Sequence, residues 1–124
     1  MKSQKFSFKK RFKSFSYAMN GLKIALKEEH NMRIHFAVAL CVLTLSVFFN
    51  INSYEWIAIF FAIGFVFSSE LINSAIENIV DFISLEKHDT IRKIEDISAA
   101  AVLISAFVAL IIGLIVFLPK ILKI

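Results

Sequence analysis

Apolar residues recur at Phe8, Phe12, Phe15, Met19, Leu22 and Leu26, in alternating steps of four and three. That spacing draws a single apolar stripe along an α-helix. Lysines occupy much of the remaining surface. The pattern predicts an amphipathic surface helix within residues 1–29, its apolar side in the acyl boundary and its basic side toward anionic headgroups. Packing of the same stripe on the protein's own bundle is the alternative, and the two can hold on different faces. Beyond it the periodicity gives way to long apolar runs over residues 34–49, 54–83 and 92–118, three helices of membrane-spanning character. Pro119 is expected to end the last of them. Asn50, Asn52 and Ser53 form a turn between the first two spans, and Tyr54 and Trp56 stand where an interfacial aromatic belt is expected.

The second apolar run takes on polar residues without losing its helical pattern. Glu70, Asn73, Ser74, Glu77 and Asp81 lie at i, i+3, i+4, i+7 and i+11, which confines them to an arc of about 100°. Ile72, Ile76, Ile79, Val80 and Ile83 take the other faces. Ionisable groups within an apolar segment are costly, which favours a functional site over a polar seam that only joins helices. Depth separates further readings. Counted from Trp56, Glu70 lies about 21 Å along the helix and Glu77 about 10 Å beyond it. In a hydrocarbon layer about 30 Å thick, Glu70 falls in the inner leaflet and Glu77 near cytoplasmic water. An ion channel would want its acids near the midplane or spread across the bilayer.

Composition agrees with a membrane protein. The 124 residues are 58% hydrophobic, with 14 phenylalanines and one proline, too apolar for a single domain to hide in its own core. The chain is read as one domain over residues 1–124. The net charge is +4, and its placement matters more than its size. Nine basic residues, from Lys2 to Arg33, precede the first apolar run, and none lies in the turn at 50–53. The positive-inside rule explains this asymmetry without nucleic acid and places the N-terminus in the cytoplasm. Three spans then put the C-terminus outside. The lone Cys41 sits in an apolar run and excludes an intrachain disulfide. With only three glycines, there is no Gly-rich phosphate loop.

Two other groups of residues carry candidate chemistry. Glu28, Glu29, His30, Asn31, Arg33 and His35 form a polar knot ahead of the first span. Glu28 and Glu29 point about 100° apart, so one of them at a time serves a given site. A carboxylate there could meet Glu77 and hold a hard divalent cation such as Mg²⁺; a solvated polar interface is the alternative. The histidines lack partners at zinc-site spacing. On the third span, Ala101, Ser105, Ala109 and Gly113 recur every four residues, a small-residue face suited to close helix packing. Three helices are too few to enclose both a polar stripe and a ligand, which predicts a homo-oligomer with sites built across subunits.

The runs ELINSAIENIVD at 70–81, EKH at 86–88 and ED at 95–96, leading into SAAAVL, resemble the prokaryotic membrane-integral diacylglycerol kinase and undecaprenol kinase family. The resemblance covers nearly the whole chain. It implies an all-α membrane protein with a surface helix and three transmembrane helices, assembled as a homotrimer in the bacterial inner membrane. It further implies transfer of the γ-phosphate of Mg·ATP to a lipid hydroxyl. Carried over by motif, Glu70 is the general base, and Glu29 and Glu77 hold the metal on the ATP phosphates. Glu86, Lys87, His88 and Asp96 line the nucleotide region, with Tyr17 and Lys10 toward the adenine. Asn73 and Asp81 orient their neighbours.

One position departs from the family. Glu95 stands where relatives usually carry a lysine that contacts phosphate. Arg92, one turn earlier on nearly the same face, is the expected replacement for that charge; weak or altered activity is the alternative. The stretch HNMRIH at 30–35 resembles the branch acting on undecaprenol, whereas the diacylglycerol-preferring branch tends to carry glutamate at the position of His35. Two functions of other classes compete with the kinase: a small ion-coupled transporter or channel subunit, and an inactive membrane scaffold.

Overall fold

The computed structural model describes residues 5–83, 86 and 88–124. Four helices follow one another: α1 (Phe8–Glu28), α2 (His30–Phe48), α3 (Ser53–Ile83) and α4 (Asp89–Leu122). At about 1.5 Å per residue, the 19 residues of α2 nearly span a 30 Å hydrocarbon layer. The 31 residues of α3 and 34 of α4 overrun it. All three are long and apolar enough to cross a membrane. The expected architecture is therefore present, with two boundaries corrected.

The first correction lies at Glu29. One extended residue, φ −102° and ψ 114°, separates α1 from α2, so α2 starts at His30 instead of at residue 34. The amide of Glu29 still bonds Ala25 O at 2.9 Å and its carbonyl accepts Arg33 N at 3.4 Å. The chain bends with the backbone groups on either side of the bend still paired. The polar knot thereby becomes the junction and first turns of α2. The second correction lies at Pro119, which does not end α4. Without an N–H, proline gives up one helical bond, and here that loss falls in the final turn. The helix closes after it with Lys123 in the left-handed region, φ 56°, and Ile124 N on Pro119 O.

Packing is uneven along the bundle. At one end Ile51, Ile59, Val116 and Phe117 form a buried cluster, flanked by Val42, Leu43, Phe49, Trp56, Ile63 and Ile112. The same end carries a reciprocal cap on α3. Asn52 Oδ1 accepts from Glu55 N at 2.9 Å while Glu55 Oε1 accepts from Asn52 N at 3.0 Å, which satisfies donors that a helix start leaves open. Glu55 also pairs with Lys120 of α4 at 2.6 Å. Next to this clamped end, an apolar groove of about 410 Å³ opens between α2, α3 and α4.

That groove revises the reading of the small-residue face. Ser105 is fully buried, its hydroxyl donating to Val102 O at 2.8 Å. Ala101 is exposed. Ala109 and Gly113 line the groove, and a Cβ at Gly113 would meet nothing within 4 Å. Close approach by α4 is thus confined to part of the face. Elsewhere the absence of side chains makes space. Phe60, Phe61, Phe107 and Ile115 remain exposed on the outside of the spans, surface that lipid covers.

Candidate functional site

The end opposite the clamp gathers the polar residues of α3. Along the stripe, exposure differs from residue to residue. Glu70 and Ser74 are buried, Asn73 and Glu77 half-buried, and Asp81 exposed. A carboxylate buried in an apolar bundle needs a partner. Glu70 has one on α2: His35 Nε2 lies 2.9 Å from Glu70 Oε1. Only 5% of the Glu70 side chain is exposed, against 24% for His35. His35 is also the one polar residue along the apolar groove, so the groove leads from the clamped end to the His35–Glu70 pair.

One and two turns further along α3, a second chain of contacts joins α3 to α4. Ser98 Oγ donates to Asn73 Oδ1 at 2.6 Å. With its oxygen so engaged, the Asn73 amide directs Nδ2 to Glu77 Oε1 at 3.1 Å. The carboxylates of Glu29, Glu70 and Glu95 all add negative potential at Glu77. These acids come from the α1–α2 junction, α3 and α4. Among the described residues no lysine or arginine forms an ion pair with any of them. Carboxylate oxygens are the ligands that a hard divalent cation takes, but among the described residues no group of three or more potential ligand side chains is drawn together.

A second cavity, about 510 Å³, lies between α1 and α3 beside Glu28 and Glu29, with Ser74 and Asn78 on its α3 wall. The remaining candidates are more dispersed. Lys10 and Tyr17 are exposed on α1, with the Lys10 carbonyl accepting from Ser14 Oγ at 3.0 Å. Glu86 and His88 approach to 3.8 Å in an exposed pair at the turn before α4. Arg92 and Asp96 are exposed on the first turns of α4, whereas Glu95 between them is half-buried. Lys87 lies outside the described residues. The fold thus brings Glu29, Glu70, Asn73 and Glu77 into one neighbourhood and leaves Lys10, Tyr17, Asp81, Arg92 and Asp96 on its open surface.

Two residues of this neighbourhood escaped sequence reasoning. His35 stood out as a member of the polar knot and a marker of acceptor branch, not as a partner of Glu70, and Ser98 only as part of a motif. Helical periodicity relates positions on one helix, and both residues act on a different helix from their own. A histidine inside an otherwise apolar run was the available signal for the first; a serine in a helix carries none.

Residues 16–117 match the family described as prokaryotic diacylglycerol kinase. The undecaprenol kinase of Bacillus subtilis is 40% identical over 109 residues, covering 88% of this chain and 89% of the relative. A diacylglycerol kinase of Helicobacter pylori is 36% identical over 97 residues, 78% of this chain and 76% of the relative. That of Escherichia coli K12 is 29% identical over 104 residues, 84% and 85% of the two chains. With a match across most of its length, three membrane-crossing helices and a polar centre on α3, the chain belongs to the prokaryotic diacylglycerol kinase family and is a membrane-embedded lipid kinase.

Proposed function

We propose that this enzyme transfers the γ-phosphate of Mg·ATP to undecaprenol, with Glu70 as general base and Glu29 and Glu77 as the metal-holding carboxylates. The observation that carries this reading is the continuity of the apolar groove with His35, and through it with buried Glu70. A lipid alcohol lying in the groove has its hydroxyl at the one carboxylate inside the apolar layer, within reach of proton transfer. Glu77 lies seven residues, about 10 Å, further from the clamp, on the side where a soluble nucleotide arrives.

Phosphoryl transfer depends on placement and charge neutralisation more than on covalent chemistry. A divalent cation held by Glu29 and Glu77 would supply that neutralisation on the ATP phosphates. Asn73, fixed by Ser98, orients the Glu77 carboxylate. Burial around Glu70 excludes water, the competing acceptor. Glu86, Lys87, His88 and Asp96 line the nucleotide site, with Lys10 and Tyr17 toward the adenine, while Asp81 supports the stripe at its open end. Arg92 replaces the charge lost to Glu95. The enzyme works as a homotrimer in the bacterial inner membrane, with the N-terminus in the cytoplasm. The basic, exposed α1 rests on the inner leaflet.

Undecaprenol is preferred because the matched Bacillus relative is an undecaprenol kinase; the apolar groove beyond His35 suits the chain of either lipid. The test is purified protein in mixed micelles with labelled Mg·ATP, offered undecaprenol and diacylglycerol in parallel. Faster transfer to undecaprenol is expected, with loss of transfer in Glu70→Gln. Equal or faster transfer to diacylglycerol overturns the acceptor assignment, and labelling of neither lipid overturns the reaction.

A further inference from the structure

His35 reaches Glu70 from α2 at 2.9 Å, and nothing in the phosphoryl-transfer scheme above uses it. Resting on the kinase reading, we propose that His35 is the positioning residue for the general base. It donates Nε2–H to Glu70 Oε1, fixes the carboxylate rotamer and directs the other oxygen toward the acceptor hydroxyl. The pair joins α2 to α3, so the base is held by a side chain from a helix other than its own. The carboxylate is buried, and an ionised carboxylate cannot donate, so the ring nitrogen facing it carries the hydrogen.

The assignment follows from chemistry that the site must perform. In the transfer step the acceptor O–H bond breaks and its proton goes to the Glu70 oxygen that His35 does not hold. The acceptor oxygen bonds to the γ-phosphorus, and the bond to the β–γ bridging oxygen breaks with its electron pair leaving on ADP. His35 gains and loses no proton in this step. Its contribution is geometric. A carboxylate with free χ rotation inside an apolar layer turns toward whatever donor is nearest, and misplacement by about 1 Å can cost roughly a hundredfold in rate. The same ring lies on the groove wall, so the group that fixes the base also borders the path of the acceptor.

The test compares His35→Gln, His35→Leu and His35→Ala as purified proteins in mixed micelles with undecaprenol and Mg·ATP. Glutamine presents a non-titrating N–H donor at similar reach; leucine fills the volume without one. Expected are a fall in kcat of roughly a hundredfold for leucine and alanine, with KM for ATP within twofold of wild type, and recovery to within tenfold for glutamine. In the Glu70→Gln background, adding His35→Leu is expected to lower the residual rate no further. A glutamine variant as impaired as leucine, an unimpaired leucine variant, or multiplicative losses in the double variant would each overturn the role of His35 while the kinase reading stands. A wild type that labels neither lipid removes the kinase reading, and His35's role falls with it.

Discussion

The Ser98 hydroxyl donates to Asn73 Oδ1 across the α3–α4 interface at 2.6 Å, and this bond decides which end of the Asn73 amide faces Glu77. With the oxygen held by Ser98, the amide group is left to meet the carboxylate. Without Ser98, the amide loses the contact that holds its oxygen away from Glu77, where two acceptors would repel. Ser98→Ala removes the hydroxyl and nothing else from a buried site. A buried hydrogen bond contributes about 1 kcal/mol net, roughly a fivefold change in rate. Expected is a loss of about fivefold in kcat/KM for Mg·ATP, with KM for the lipid unchanged. Steady-state kinetics with either substrate varied measures it, and Ser98→Thr, which keeps the hydroxyl, is expected to retain most of the activity.

The crowding of acids around Glu77 gives a prediction for Glu95. Glu29, Glu70 and Glu95 each add negative potential there, and the ATP phosphates would bring more. Replacing Glu95 by lysine reverses one of these charges. Expected is a lower KM for Mg·ATP and a reduced Mg²⁺ requirement in titrations at fixed ATP. Arg92→Ala is expected to raise KM for Mg·ATP several-fold in the wild-type background and to have a smaller effect in Glu95→Lys. Equal effects in both backgrounds would show that Arg92 does not serve in place of a lysine at position 95.

How much of this was legible in the sequence follows from what periodicity can report. The stripe from Glu70 to Asp81 could be drawn because those residues share one helix, and the fold buries Glu70 while leaving Asp81 exposed. The three spans were legible because their apolar runs are long. Register between helices was not. His35 lies 35 residues before Glu70 and Ser98 lies 25 after Asn73, and no spacing rule connects them. The break at Glu29 was equally hidden, since a glutamate between two helical patterns carries no Gly or Pro signal. Pro119 misled because the missing N–H and the clash with the preceding turn kink a helix without always ending it; here α4 runs on to Leu122, with Lys120 anchored to Glu55.

That anchor is a prediction in its own right. Lys120 Nζ and Glu55 Oε2 are 2.6 Å apart at the clamped end, far along α3 from Glu70 and Glu77. Glu55 also closes the cap with Asn52. Glu55→Gln keeps an acceptor for the cap and removes the ion pair; Glu55→Ala removes both. Expected is a lower thermal midpoint for alanine than for glutamine, both below wild type, with kcat per folded enzyme unchanged. Thermal unfolding in detergent followed by circular dichroism ranks the variants.

The groove itself can be tested where glycine leaves it open. A Cβ at Gly113 meets no atom within 4 Å, and Gly113 lines the groove, so Gly113→Leu is expected to extend into it. Leucine also favours helix over glycine by about 1 kcal/mol in aqueous hosts, so the variant is expected to fold. If the acceptor chain lies between α2, α3 and α4, leucine at 113 competes with it for volume. Expected is a several-fold rise in KM for undecaprenol, a smaller rise for a short-chain alcohol that ends before position 113, and no change in KM for Mg·ATP. A chain that runs elsewhere would leave all three values as in wild type. The contrast between long and short acceptors therefore locates the lipid by length alone, independently of any residue that takes part in phosphoryl transfer.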